Sequence, residues 1–168
     1  KKKYKYYYIS HMKNNYLNIY NNLIKLTRNK NLYLSLKNND TFSDRLIILL
    51  FHFGFFLKSY KNQLSKKEAQ DLFDFIIRQI ELSIREIGYG DVSVNKKMKD
   101  YVNLFYSILD KIEIWDSLNK EKKTNLMCDL LNIREDSDIF INYFEKYNAF
   151  LLKNSLKIFT KDIINFKF

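Results

Sequence analysis

Proline is absent from the 168 residues, and there are only three glycines, one cysteine and two histidines. So few turn formers argue against a loop-rich all-β domain. Cys128 has no second cysteine with which to close an intramolecular disulfide. With His11 and His52 as the only histidines, a Cys/His zinc cluster is excluded as well. No acidic residue precedes Asp40. Long apolar runs are also missing: Leu46–Leu57 has 12 residues, including His52 and Gly54, against about 20 for a spanning helix, and reads as a buried core helix. The opening YKYYYIS stretch is too short and polar for a secretory signal, so the expectation is a soluble protein without a targeting segment.

Hydrophobic residues make up 46% of the chain and aromatics 17%, ample apolar surface for a core, which rules against intrinsic disorder. The length fits one domain. The formal charge is +10, and its distribution says more than its total. Nine basic residues precede Asp40 (Lys1, Lys2, Lys3, Lys5, Lys13, Lys25, Arg28, Lys30 and Lys37), whereas from Asp40 onward 20 bases face 19 acids. A one-sided basic segment points to an anionic partner, nucleic acid or phospholipid. Residues 1–12 read as a disordered basic tail or an upstream extension, and 13–168 as a single helical domain. A start at Met12 would remove four lysines and lower the charge to +6, so the basic pI alone does not establish nucleic-acid binding.

The spacing predicts an all-α fold of about six to seven helices with a central antiparallel helical hairpin. A first helix over 13–27 places Tyr16, Tyr20, Leu23 and Ile24 near helical spacing, and a short one over 30–36 follows. Thr41 with Asp44 forms a capping box for a helix over 42–60 that is apolar nearly all round and belongs at the centre. Ser65 with Glu68 opens the next helix, whose stripe runs Leu72, Ile76, Ile80, Ile84 and ends at Gly88. After the Tyr89-Gly90-Asp91 turn, Asp91 or Ser93 can cap a helix over 94–117 carrying Val94, Met98, Tyr101, Phe105 and Ile108 on one face. The short loop makes these two helices a hairpin. Further helices are expected over 119–132 and over 137–160 or beyond.

No nucleophile–base pair is visible, and no phosphate-binding glycine motif: Gly88-Tyr89-Gly90 follows a helix and leads to no Lys-Ser/Thr pair. Cys128 beside Met127 reads as a small hydrophobe on an apolar face. His52, inside the most apolar helix, reads first as a satisfied core histidine and second as a partner-binding residue. Three lysines, Lys96, Lys97 and Lys99, gather at the start of a helix against its dipole, which hints at a partner surface.

The segment from Arg85 to Lys99 resembles the hallmark of the ubiquinol–cytochrome c reductase assembly chaperone family. Its pattern, Arg-Glu-x-Gly-x-Gly-Asp-x-x-Val-x-Lys-x-x-Lys, is met by Arg85, Glu86, Gly88, Gly90, Asp91, Val94 and Lys99, with Lys96 and Lys97 adding to the basic cluster. The family's following Phe-Tyr-Gly-Arg appears as Phe105-Tyr106, with Ser107-Ile108 in place of Gly-Arg. Upstream, Asp40, Thr41, Arg45 and the Phe51-His52 pair match its Asp-Thr-x-x-x-Arg and the histidine-bearing helix. Tyr16–Arg28 matches its first helix and Asn31-Leu32-Tyr33 its aromatic element. The likeness spans about residues 13–117.

This resemblance implies a non-enzymatic helical chaperone, without a cofactor, that binds newly made cytochrome b and promotes biogenesis of ubiquinol–cytochrome c reductase. It further implies a small helical partner subunit and, for mitochondrial members, a place near the ribosome exit. The partner-binding candidates are Arg85, Glu86, Tyr89, Asp91, Lys96, Lys97, Lys99, Arg45 and His52; Arg45 and Glu86 have a structural ion pair as their alternative reading. Asp40, Thr41, Gly88, Gly90, Val94, Phe105 and Tyr106 are the structural motif residues. The expected location is the bacterial cytoplasm at the inner face of the inner membrane, with the mitochondrial matrix as the alternative.

Two other readings stand beside it. One is a basic RNA- or ribosome-binding module working through the acid-free N-terminal segment, which could equally meet an anionic membrane. The other is a peripheral membrane protein using the aromatic C-terminal helix, with Lys153, Lys157, Lys161 and Lys167 at the headgroups.

Overall fold

The computed structural model describes residues 2–34, 36–37, 41–131, 133, 137–161 and 164–166, with side chains from residue 15 onward. Among them are seven α-helices: α1 (Lys2–Thr27), α2 (Phe42–Tyr60), α3 (Lys66–Glu86), α4 (Asp91–Glu113), α5 (Lys120–Leu130), α6 (Asp138–Lys153) and α7 (Lys157–Lys161). Short 3₁₀ turns lie at Lys30–Tyr33 and Trp115–Ser117, and one isolated bridge pairs Leu36 with Ile133. The helical backbone of α1 extends upstream of residue 13, and the first described side chain buried from it is Tyr16.

α2 is the axis of the fold. Thr41 opens it with a reciprocal capping box: its hydroxyl accepts from the Asp44 N–H at 3.1 Å, and the Asp44 carboxylate accepts from the Thr41 N–H at 3.3 Å. Two otherwise orphaned donors are thereby satisfied. Thirteen of its 19 residues are buried, because α1, α4 and α6 all pack on it. Aromatic contacts also seat α4, α6 and α7 against it. Phe53 stacks on Phe105 of α4 with ring centroids 5.1 Å apart, Phe55 on Phe144 of α6 at 5.5 Å, and Phe56 meets Phe159 of α7 edge-on at 4.9 Å. Gly54 sets the closeness of α4, since a Cβ there would sit 2.6 Å from Ile112 Cδ1.

α3 begins at the Ser65–Glu68 capping box and buries Leu72, Ile76, Ile80 and Ile84. The rotation of the chain after it requires Gly88, whose φ of +100° lies where a side chain is strained. α4 then starts one turn earlier than its apolar stripe suggests. Its N-cap is Gly90, with no side-chain cap, where Asp91 or Ser93 was anticipated. Asp91 is instead the first helical residue: its carboxylate is held by Arg85, and its charge suits a helix N-terminus. Phe73 of α3 stacks over Phe105 and Tyr106 of α4 at 5.8 and 6.0 Å, so the two helices run back along each other.

The C-terminal third departs further from the one-dimensional pattern. α4 stops at Glu113, and a 3₁₀ turn buries Trp115. The single helix expected over 137–160 is two, α6 and α7, broken at Asn154–Leu156. There the Asn154 carbonyl accepts from Tyr60 Oη at 3.1 Å and the Leu156 N–H donates to Gln63 at 3.2 Å, so tertiary partners replace helical ones. Phe140, Tyr143, Phe144 and Tyr147 of α6 face the core. The aromatic C-terminal face proposed for membrane contact is therefore already covered by α2. Cys128 is exposed while Met127 is buried, which corrects its placement on the apolar face beside Met127. No helix among the described residues is long and apolar enough to cross a membrane.

Candidate functional site

The motif residues separate into an inward set and an outward set. His52 belongs to the first. It is fully buried, with Nδ1 2.8 Å from the Ile48 carbonyl and Nε2 2.7 Å from Tyr143 Oη. A carbonyl only accepts, so Nδ1 carries the proton and Nε2 accepts from the tyrosine. Burial lowers the pKa of this imidazole to about 3, and burial raises those of Tyr143 and Tyr147 beside it. His52 is thus a neutral, doubly satisfied core residue, beyond the reach of a partner at the surface. Val94 and Phe105 are buried with it, and Thr41 is the α2 cap. Asp40 lies outside the described residues.

The outward set forms the end of the α3–α4 hairpin. Arg85 donates to Glu81 Oε1 at 2.9 Å and to the Asp91 carboxylate, joining the last turn of α3 to the first of α4. Arg78 donates to the other Glu81 oxygen at 2.7 Å, and these two guanidiniums hold the Glu81 carboxyl below its ordinary range. Lys97 places Nζ 4.5 Å above the Tyr89 ring, a cation–π contact. Glu86, Tyr89, Lys96 and Lys99 are exposed, as is Tyr106 further along α4. Arg85, Asp91 and Lys97, the residues favoured for partner contact, thus first of all shape the turn.

Sequence reasoning missed a groove of about 540 Å³ between α1, the start of α2 and α3. Its floor is apolar, from Ile24, Leu46, Leu49 and Ile80. Tyr20 and Ser83 form part of the wall, and burial raises the pKa of the Tyr20 hydroxyl, keeping it protonated. Phe42 stands at the edge, 36% exposed. Three cations, Lys25, Arg28 and Arg45, line the same space, and Lys25 donates to the Ile164 carbonyl at 2.8 Å. Arg45 was selected for its motif position and proves to be a groove residue. Tyr20, Arg28, Phe42 and Ser83 carried no signal of their own, because the groove exists only where three distant segments meet.

An all-helical scaffold with an apolar, cation-lined groove and an exposed helix–helix turn is a fold class that suits binding an extended or helical segment. The family is specific: the model described as ubiquinol-cytochrome C chaperone matches residues 34–120, just over half of the chain. The protein belongs to this family of non-enzymatic assembly factors for ubiquinol–cytochrome c reductase. The matched stretch holds α2, α3 and α4 with the hairpin turn, while α1, one wall of the groove, lies before it. No curated protein and no solved structure matches the chain.

Proposed function

We propose that this protein binds newly made cytochrome b and holds an apolar segment of it in the groove between α1, α2 and α3 until the subunit joins its complex. The groove carries this reading. Its apolar floor replaces water around aliphatic side chains of a bound segment. Guanidiniums at the rim suit what an unassembled membrane helix leaves exposed, its unpaired terminal carbonyls and the negative end of its dipole. Lys25 and Arg28, two of the nine bases before Asp40, bring part of the acid-free N-terminal stretch to the groove. On this reading the protein acts at the cytoplasmic face of a bacterial inner membrane, or on the matrix side of a mitochondrial one.

The test is a photo-crosslinking amino acid placed at Phe42, with a second at exposed Leu152 on α6 as the control. An adduct with cytochrome b from Phe42 and none from Leu152 is expected. Deletion of the gene should remove the b-type haem signal and its polypeptide while other respiratory complexes persist. Unchanged cytochrome b in the deletion strain would overturn the reading.

A further inference from the structure

The hairpin end carries an apolar cluster that the groove does not use. Val92 is 86% exposed, Ile87 52% and Tyr89 43%. Single exposed hydrophobes are ordinary, but these three share one turn. That turn is held from within by Gly88 at positive φ and by Arg85 gripping Asp91. Charge is the second observation. Val92, Lys96 and Lys99 recur at i, i+4 and i+7 and are all exposed, so they form one outer stripe of α4. Lys97 stands over the Tyr89 ring beside them. At 1.5 Å per residue, Lys96 and Lys99 follow Val92 by about 6 and 10 Å along the axis. No acid pairs with Lys96 or Lys99 in the described structure. Of the nearby acids, Asp91 is taken by Arg85, leaving Glu86 and Asp100.

We propose that the hairpin end docks on a bilayer containing anionic phospholipid. Ile87, Tyr89 and Val92 enter the boundary between headgroups and acyl chains, and Lys96, Lys97 and Lys99 meet the phosphates. With α4 standing along the bilayer normal, these axial offsets set Lys96 and Lys99 above Val92, and lysine stems span the remaining distance to the headgroup level. Tyrosine favours that interface, its ring in the apolar layer and its hydroxyl at the water. Ser83 of the groove wall is one helical turn before Ile87, so docking brings that end of the groove to the membrane surface. The proposal stands whatever client the groove takes.

The test uses the full chain with vesicles of phosphatidylcholine alone and of phosphatidylcholine mixed with phosphatidylglycerol. Binding is expected only to the mixed vesicles, weakening as salt rises. The Ile87→Ser, Val92→Ser double variant should lose affinity about tenfold, as should Lys96→Glu with Lys99→Glu. These positions are exposed, and unchanged circular dichroism checks the fold. A second reading labels a Val92→Cys, Cys128→Ser chain with an environment-sensitive dye, whose emission should shift to the blue on mixed vesicles. No binding to either vesicle would overturn the proposal. So would full affinity of the serine variant, or binding without a blue shift, since another surface then meets the lipid. Loss of cytochrome b capture by the serine variant with unaltered vesicle affinity would make the tip a protein surface and also overturn it.

Discussion

The α2 interior and the α3–α4 tip contrast two ways of using motif residues. Around His52, both ring nitrogens and the Tyr143 and Tyr147 hydroxyls have partners, and Tyr143, Phe144 and Tyr147 all lie within 5.0–5.4 Å of the imidazole. At the tip, polar groups pair across a turn while aliphatic side chains face water. One region specifies a unique core and the other presents a surface, although His52 and the tip both fall in the stretch that matches the family. A residue's place in a motif therefore says little about whether it touches a partner. Burial decides that.

The contrast breaks if substitutions in the two regions act alike. The largest loss is expected for His52→Ala, about 4 kcal/mol from the vacated volume and the orphaned Tyr143 hydroxyl, measured by urea unfolding. A loss below about 1 kcal/mol would mean that the imidazole network does not hold the core. Gly54→Val should follow with about 2–3 kcal/mol, as the added side chain displaces the buried Ile112 Cδ1 and overpacks the α2–α4 contact.

Next comes pH. Above about 6.5 His52 is neutral in both folded and unfolded chains. Between 6.5 and about 3 the unfolded chain takes up a proton that the folded one refuses. Stability therefore falls as pH falls through that window, by up to about 1.4 kcal/mol per unit. His52→Gln should flatten the profile between about pH 6.5 and 5; equal slopes would show that the imidazole is not held neutral. Gly88→Ala should cost about 1 kcal/mol through backbone strain alone. Smallest of all, Asp91→Asn should cost about 0.5 kcal/mol, because the pair with Arg85 and the helix-dipole contact it makes are both exposed. A much larger loss there, again by urea unfolding, would make the tip part of the stabilising core.

Local physics was legible in the sequence. The two capping boxes, the α3 stripe and the left-handed Gly88 depend on residues within a few positions of one another, and each stands where its spacing puts it. Features that depend on distant chain were not legible. The break between α6 and α7 is made by Tyr60 and Gln63, about ninety residues upstream. Asp91 does not cap α4 because Arg85 reaches it from the preceding helix. Cys128 turns outward because Lys123 and Met127 take the inner face of α5, Lys123 reaching Glu145 at 2.5 Å. For the same reason the hairpin chemistry could be read from its motif, whereas the groove could not: its walls come from α1, α2 and α3, and no periodicity encodes their meeting.

The contact between the first and last helices has a consequence for synthesis. Asn18 donates to the Thr160 carbonyl at 2.7 Å, and Asn22 donates to Phe159 and accepts from the Ile164 N–H, both at 3.0 Å. Asn18 and Thr160 are 142 residues apart. At about 5–20 residues per second, roughly 7–30 s pass between the emergence of one and the other. Throughout that interval α1 lacks this seam, and the wall it lends to the groove rests on α2 and α3. The segment around α7 is thus a latch on the groove wall, and a nascent chain that has not reached it carries that wall unfastened.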